Sequence, residues 1–384
     1  MKHILLVDMN AFFIMCESLL RPELRDIPAA VAGDPLKRTG IILTANYIAR
    51  KYGVYTTMTV NQAKNVCPSI ELVKPSSGLY SKCSNQVFDI FRRYTPTIEQ
   101  ASIDEGWLDI TESTDLFGSP FDIASRIQNE VKDELGLWCS VGISENKFLS
   151  KMACEMKKPL GITTMYQKDI EKMLWPLPVN KMYGVGKATS KQLLNVGIHT
   201  IGDIANCDKV FLTEKFGSFG SYLYERANGI DHSLVGVHQV KSKSISKEHT
   251  LAADMTDINQ AKKALINLAQ EVGVKARAEG LKGETVQITM KYSNFISVTR
   301  QKKVHATNLD KEILKAGYEL LEENWDSKKP IRLIGIGLHN MTGQKAQVSF
   351  FDNHIEVKEE KIEKTMDTLN IKYGKKSLKR GSNL

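Results

Sequence analysis

Residues 4–8 read I-L-L-V-D, and residues 97–111 read T-I-E-Q-A-S-I-D-E-G-W-L-D-I-T. The first is a short apolar run that stops at Asp8. The second reads as two β segments around an acidic turn, with Asp104 and Glu105 set among Ile103, Trp107, Leu108 and Ile110. Carboxylates at strand ends beside a core are costly to desolvate unless a cation or donor compensates them. Working outward, I-P-A-A-V-A-G (27–33) is another apolar run, ending at glycine, and C-S-V-G-I-S (139–144) reads as a strand. In F-D-I-A-S-R-I-Q-N-E-V-K-D-E-L-G (121–136), apolar residues at 123, 124, 127, 131 and 135 keep helical spacing, with Gly136 as C-cap. This alternation over residues 1–165 predicts an α/β or α+β domain.

Beyond it the pattern changes. Residues 166–232 hold short helical patterns broken by W-P-L-P (175–178) and G-V-G (184–186), and 233–240 read as a linker. Residues 241–346 form a new unit, with strands near 243–251, 285–293, 296–304 and 331–340 and helices near 257–279 and 308–324. At 384 residues the chain has room for two to four domains. The expectation is an α+β multidomain protein.

A hydrophobic fraction of 42% and a charged fraction of 25% argue against disorder, collagen and coiled coil. No apolar run approaches the ~18 residues of a membrane span, and the N-terminus lacks the pattern of an export signal. The six cysteines show neither CxxC nor zinc spacing, which predicts reduced, partly buried thiols and a cytoplasmic chain. The net charge of +8 is unevenly placed: 241–346 carry +6, 347–384 carry +2, and 1–240 are neutral. A neutral front and a basic back suggest chemistry in one place and a grip on a polyanion in another, unless the lysines are a solvated surface.

Asp8, Asp104 and Glu105 offer hard oxygen donors that suit Mg²⁺, and a pair of such ions can activate one oxygen and stabilise another in phosphoryl chemistry. The alternative is a set of ordinary turn carboxylates. T-A-N-Y-I-A-R-K (44–51) stands at a strand-to-helix transition, where Tyr47 and Arg50 share a helix face and could clamp a phosphate or simply open an amphipathic helix. Lys147 and Lys151 are again one turn apart, either phosphate ligands or a solvated face. Y-G-V-G-K-A-T-S-K-Q-L-L-N-V-G-I (183–198) reads as a helix-hairpin-helix. Its Gly184 and Gly186 amides, with Lys187 behind them, favour a DNA phosphate without reading sequence; the alternative is a packed helical turn.

V-D-M-N-A-F-F (7–13), T-A-N-Y-x-A-R-K (44–51), S-I-D-E (102–105), V-G-I-S-x-N-K-x-x-x-K (141–151) and the hairpin module follow one another in an order and spacing that resembles the bacterial Y-family of translesion DNA polymerases. The resemblance covers nearly the whole chain. It implies a right-hand architecture: palm 1–10 and 76–165, fingers 11–75, helix-hairpin-helix thumb 166–232, linker 233–240, an α/β little finger 241–346 and a tail 347–384. It implies that Asp8, Asp104 and Glu105 are the catalytic carboxylates, holding two Mg²⁺ ions with the Met9 carbonyl. It further implies that Phe13 is the steric gate against a 2′-hydroxyl and that Phe12, Thr44, Tyr47, Arg50 and Lys151 serve the nucleotide. The chain departs from the family in having Asn10 where many relatives have Asp. Leu43 and Thr57 are bulkier than in some relatives over the nascent base pair.

In the basic unit, Lys243, Lys247, Arg300, Lys302 and Lys303 are the expected phosphate contacts. Q-V-S-F-F (347–351) resembles the motif by which bacterial polymerases bind the sliding clamp, with Val348, Phe350 and Phe351 as an apolar anchor and Gln347 at the rim. The alternative is an edge strand of the little finger. Residues 355–384 alternate acidic and basic side chains and read either as a tethered helix or as disordered. The expected function is error-prone, template-directed DNA synthesis on primer-template DNA with dNTPs, without a proofreading exonuclease. The expected state is a monomer off the membrane. The competing reading is a non-catalytic DNA-binding scaffold at the sliding clamp.

Overall fold

The strand β1 (Ile4–Met9) is the centre of a five-stranded sheet. In this computed structural model, which describes residues 2–37, 40–236, 242–343, 354–374 and 377–378, Leu5, Leu6 and Val7 are fully buried. The strand is apolar without alternation because both faces of the sheet are covered. Leu5 and Val7 pack on α4 (Leu79–Arg92) and α6 (Pro120–Leu135), while Ile4 and Leu6 pack on the far side against Trp107, Cys154 and Val235. The sheet order is β5 (Ile98–Gln100), β6 (Glu105–Asp109), β1, β7 (Cys139–Ser144) and β8 (Ile162–Thr164). Antiparallel pairing sets Asp8 opposite Glu105 on one side and opposite Ser140 on the other.

After β1 the chain turns through Ala11, whose φ of 49° lies in the left-handed region, into α1 (Phe12–Leu20). This strained turn is over-determined by its neighbours. Buried Asn10 donates to Ser140 Oγ at 3.1 Å and accepts from the Leu160 amide at 2.9 Å, tying β1, β7 and the 160 loop together. Asn10 is therefore a fold-holding amide. A smaller sheet follows, ordered β3 (Ile42–Ala45), β2 (Ala29–Ala32) and β4 (Glu71–Val73), with α2 (Tyr47–Lys51) and α3 (Val60–Val66) beside it.

After β6 comes the short α5 (Thr114–Phe117), and α7 (Lys147–Met156) follows β7. Residues 166–232, the stretch expected to be a thumb, hold a cluster of short helices: α8 (Ile170–Met173), α9 (Lys187–Asn195), α10 (Ile201–Ala205), α11 (Lys209–Phe216) and α12 (Ser218–Ala227). Val185 and Ile198, the apolar residues of its two glycine turns, are buried in the cluster that holds Leu193, Leu212 and Leu223. Gly184 and Gly197 take φ of +90° and +80°, conformations that an L side chain rarely adopts. A Cβ on Gly186, the N-cap of α9, would meet nothing within 4 Å, so this helix start is open to a ligand. The front of the expected linker is packed: Val235 is 5% exposed, and the Gly236 amide donates to Glu99 at 3.3 Å. One apolar side chain within a polar stretch is enough to dock it.

The chain separates into two compact units, 1–33 with 40–239 and 34–39 with 240–384. The second contains β9 (Ser244–Met255), α13 (Ile258–Ala278), β10 (Leu281–Tyr292), β11 (Ser297–Thr307), α14 (Asp310–Asn324) and β12 (Ile331–Gly343). Its sheet order is β11-β10-β12-β9, with both helices on one face. Cross-strand partners share a face. Arg300 and Lys302 stand opposite Ile288 and Val286, and Lys247 opposite Ile336, so all three point to the helix-covered side. There Lys302 pairs with Glu319 at 2.7 Å, Lys247 with Glu271 at 3.4 Å, and Arg300 donates to Asn324 at 3.0 Å. Lys303 is exposed on the open face with Thr299 and Gln301; Lys243 is exposed just before β9.

The tail contains a helix, α15 (His354–Tyr373). Arg277 on α13, 2% exposed at its side chain, holds it: the guanidinium pairs with Glu363 at 2.5 Å and with both oxygens of Asp367 at 2.7 and 3.1 Å, and also reaches Asp310 at 2.9 Å. Lys282 adds a bridge to Glu360 at 3.2 Å. Low amphipathicity hid this docking from sequence inspection, because polar side chains make it. Arg277→Met should leave three carboxylates without their shared cation, at a cost of ~3 kcal/mol if the helix stayed in place. Undocking avoids that cost. The variant should therefore be cut by protease between 354 and 373 much faster than the parent, and equal cleavage rates would exclude the docking role.

Candidate active site

A cavity of about 300 Å³ opens where β1 passes into α1. Asp8, Met9 and Asp104 line one end, Phe12 and Phe13 another wall, and Leu43, Thr44, Tyr47, Arg50 and Thr56 the side formed by β3 and α2; Lys158 completes it. Leu43 is thus on the pocket wall. Thr57 is not, because its backbone turns through φ 79° and leaves Thr56 facing the cavity.

Asn46 sets the β3–α2 wall. As N-cap its Oδ1 accepts from the Ala49 amide at 2.8 Å and the Ala29 amide at 3.2 Å, while Nδ2 donates to the carbonyls of Leu24 at 2.9 Å and Ile27 at 2.7 Å. All four hydrogen bonds of a buried amide are made, so α2 cannot rotate cheaply. Arg50 is then fixed by its own Nε bond to the Ala45 carbonyl at 2.9 Å, and its guanidinium lies 4.8 Å from the Tyr47 ring centre. Burial pushes the Tyr47 phenol up, against the pull of Arg50 and Lys158.

The Phe13 ring stacks on Tyr80 with centroids 4.3 Å apart and planes at 21°. The Tyr80 hydroxyl donates to Glu17 at 2.6 Å, and Glu17 itself is 3% exposed and accepts from Ser76. Phe13 is therefore backed by an anchored ring and cannot retreat.

Asp104 accepts from Ser102 Oγ at 2.5 Å, and the Asp104 carbonyl accepts from the Met9 amide at 2.9 Å. Asp8 is capped on both oxygens, Oδ2 by Lys151 at 3.0 Å and Oδ1 by Lys158 at 2.9 Å. Lys151 also reaches Glu105 at 2.5 Å. Burial raises the Asp8 carboxyl, but Lys158 and Lys151 outweigh it and hold the group below its ordinary value. Burial also raises Glu105; Lys151 opposes this, and the neighbouring Asp8 adds to it. Burial lowers both lysines, and the carboxylates more than restore them, so both stay charged.

The donors Asp8, Asp104, Glu105 and the Met9 carbonyl are all hard oxygens and fit Mg²⁺. Two ammonium groups drawn onto Asp8 show the positive charge that the cluster demands. Among the described residues no three His, Cys, Asp or Glu side chains already form a metal cage, and lysines stand on the Asp8–Glu105 pair.

The structure gathers Asp8, Met9, Phe12, Phe13, Thr44, Tyr47, Arg50 and Asp104 around one cavity. Glu105 and Lys151 lie just behind it. Lys147 is drawn away, to Glu99 at 2.6 Å and over the Trp107 ring. Gly184, Gly186 and Lys187 are not among the cavity's lining residues; they stand at the start of α9. Gln347, Val348, Phe350 and Phe351 lie outside the described residues. Sequence reading missed Lys158 and Tyr80. Lys158 lies two residues past the end of α7, after the extended Lys157, so helical spacing gave no signal for it. Tyr80 carried no signal, since its partner Glu17 is remote in sequence.

This is the multidomain α+β architecture of a Y-family DNA polymerase. A solved Y-family DNA polymerase chimera shares it with a TM-score of 0.80, covering 89% of this chain and 99% of its own, at 24% identity. Sequence profiles of the impB/mucB/samB family match residues 7–155, those of its C-terminal domain 242–350, and those of its helix-hairpin-helix motif 168–198. The DNA polymerase IV of Clostridium kluyveri is 50% identical over 99% of this chain and 97% of its own, and that of Alkaliphilus oremlandii 46% identical over 99% and 98%. DNA polymerase IV 1 of Bacillus subtilis is 37% identical over 98% and 92%. The chain belongs to the impB/mucB/samB family, the Y-family DNA polymerases.

Proposed function

We propose that this chain extends a DNA primer along a template by nucleotidyl transfer, past damaged bases and without proofreading. The observation that carries the reading is the single cavity with carboxylates at one end, an aromatic wall and a cationic side. Arg50, Tyr47 and Lys158 receive the triphosphate; Arg50 presents a planar fork and Lys158 a point charge. Phe13 packs under the sugar, with Tyr80 behind it. Asp8, Asp104 and Glu105 concentrate negative charge where the 3′ end and α-phosphate meet. When bound there, two Mg²⁺ ions supply Lewis-acid stabilisation of the attacking and leaving oxygens. Lesion bypass at low fidelity rests on the family to which the chain belongs.

Primer extension with Mg²⁺ and dNTPs tests this. Lengthening of the primer supports it, shortening would indicate a nuclease, and DNA binding with no change in primer length a scaffold.

The open α9 start and the basic second unit would grip DNA through phosphates. Strand register sharpens the expectation. Lys303→Ala should lower the log–log salt slope of binding by about 0.9, whereas Lys302→Ala should change it little, because Glu319 already neutralises that charge. Equal effects of the two would refute the role given to register.

The sliding clamp as partner rests on the sequence of residues 347–351. Phe350→Ala with Phe351→Ala should abolish stimulation by a loaded clamp and spare clamp-free extension. A monomeric, cytoplasmic enzyme completes the reading; among the described residues no helix is long and apolar enough to cross a membrane.

A further inference from the structure

Glu155 lies one turn after Lys151 on α7, and one of its oxygens serves two cations. Its Oε1 is 3.1 Å from the Lys151 ammonium and 2.9 Å from that of Lys158. Both ammonium groups are at the same time on Asp8, at 3.0 and 2.9 Å. Side-chain exposure is 10% for Lys151, 22% for Lys158 and 13% for Asp8, but 47% for Glu155. An i,i+4 ion pair on a helix surface is worth little by itself. Here it joins two mostly buried cations that also stand on Asp8, one of the carboxylates of the proposed metal site.

We infer that Glu155 is a positioning residue of the metal site: it is the second seat onto which Lys151 and Lys158 move when they give up Asp8 and Glu105 to a divalent cation. The inference rests on the metal reading above. Without a second seat, each lysine leaving Asp8 would be a desolvated charge with no partner, and cation entry would carry that cost. With Glu155 already in contact, the exchange needs only a small side-chain swing. Lys158 also lines the cavity with Arg50, so a triphosphate there would compete with Asp8 for it. Without metal, the two lysines hold the carboxylates together; with metal, Glu155 holds the lysines.

Mn²⁺ binding to the full-length, DNA-free protein, followed by the EPR signal of the free ion, tests this without catalysis. The parent should bind an ion that Asp8→Asn lacks. Lys151→Met removes one competing charge and should bind that ion about tenfold more tightly. Glu155→Gln removes the second seat and should bind it at least about threefold more weakly. A role of Glu155 confined to helix stability would lower the melting temperature and leave Mn²⁺ affinity unchanged. As a second reading, Mg²⁺ should raise the melting temperature of Lys151→Met more than that of the parent. A parent ion that depends on Asp8, together with unchanged affinity in Glu155→Gln, overturns this inference alone. Absence of any such ion in the parent overturns the metal reading as well, so the two failures are distinct.

Discussion

Asp104→Ala should abolish primer extension, by at least a thousandfold in turnover or ~4 kcal/mol of barrier, while DNA affinity stays within a few-fold. The position is a clean one to test. Asp104 lines the cavity and its side chain is held by Ser102, two residues away, so truncation leaves no buried cation unpaired. Asp8→Ala should be as inactive, but it also removes one of the two carboxylates that Lys151 and Lys158 share and so mixes chemistry with local rearrangement. DNA grip is expected to survive because the α9 start and the second unit lie apart in sequence from this residue. Single-turnover extension with saturating dNTP is the measurement. Retention of more than about a tenth of parental turnover, under ~1.4 kcal/mol, would remove Asp104 from the chemistry.

Phe13→Ala should raise ribonucleotide incorporation relative to deoxyribonucleotide by about a hundredfold or more, since it relieves a clash felt by only one of two competing substrates. The packing behind Phe13 is the reason to expect so large an effect from a single ring. Phe13 is stacked at 4.3 Å on Tyr80, which Glu17 anchors, so the ring cannot shift to admit a 2′-hydroxyl. Tyr80→Phe keeps the stack and loses only the anchor, so its discrimination should fall far less. Competition between rNTP and dNTP at one template position measures both. Unchanged discrimination in Phe13→Ala would move the gate to Phe12, which is 3% exposed and packed into the core.

Local chemistry was legible wherever near neighbours in sequence stay near in space. The run of residues 4–8 is β1, the acidic turn of 97–111 divides β5 from β6, and T-A-N-Y-I-A-R-K carries its own cap, Asn46, so Tyr47 and Arg50 could be paired by eye. The helix of 121–136 and its left-handed Gly136 cap follow from spacing and from glycine's tolerance of positive φ. That Asp8 meets Glu105 required only that two apolar strands pair, but the register that makes them direct partners is a property of the sheet.

Long-range charge pairing was decided only by the tertiary structure. The sequence counted Lys247, Arg300 and Lys302 as free positive charge; register turned them toward helices that carry Glu271, Asn324 and Glu319. Val235 looked like part of a linker until Ile4, Trp107 and Cys154 gave it a socket. The tail read either as a tethered helix or as disordered; Arg277, gathering carboxylates from two elements, docks it as a helix. Lys151, expected at the triphosphate, stands on Asp8 and Glu105 in this structure, while Lys158 lines the cavity. The physical reason is the same in each case. Apolar periodicity and turn chemistry act over a few residues and are written along the chain. A charge finds its partner through space, across 143 positions for Lys151 and Asp8, and only the folded chain brings the two together.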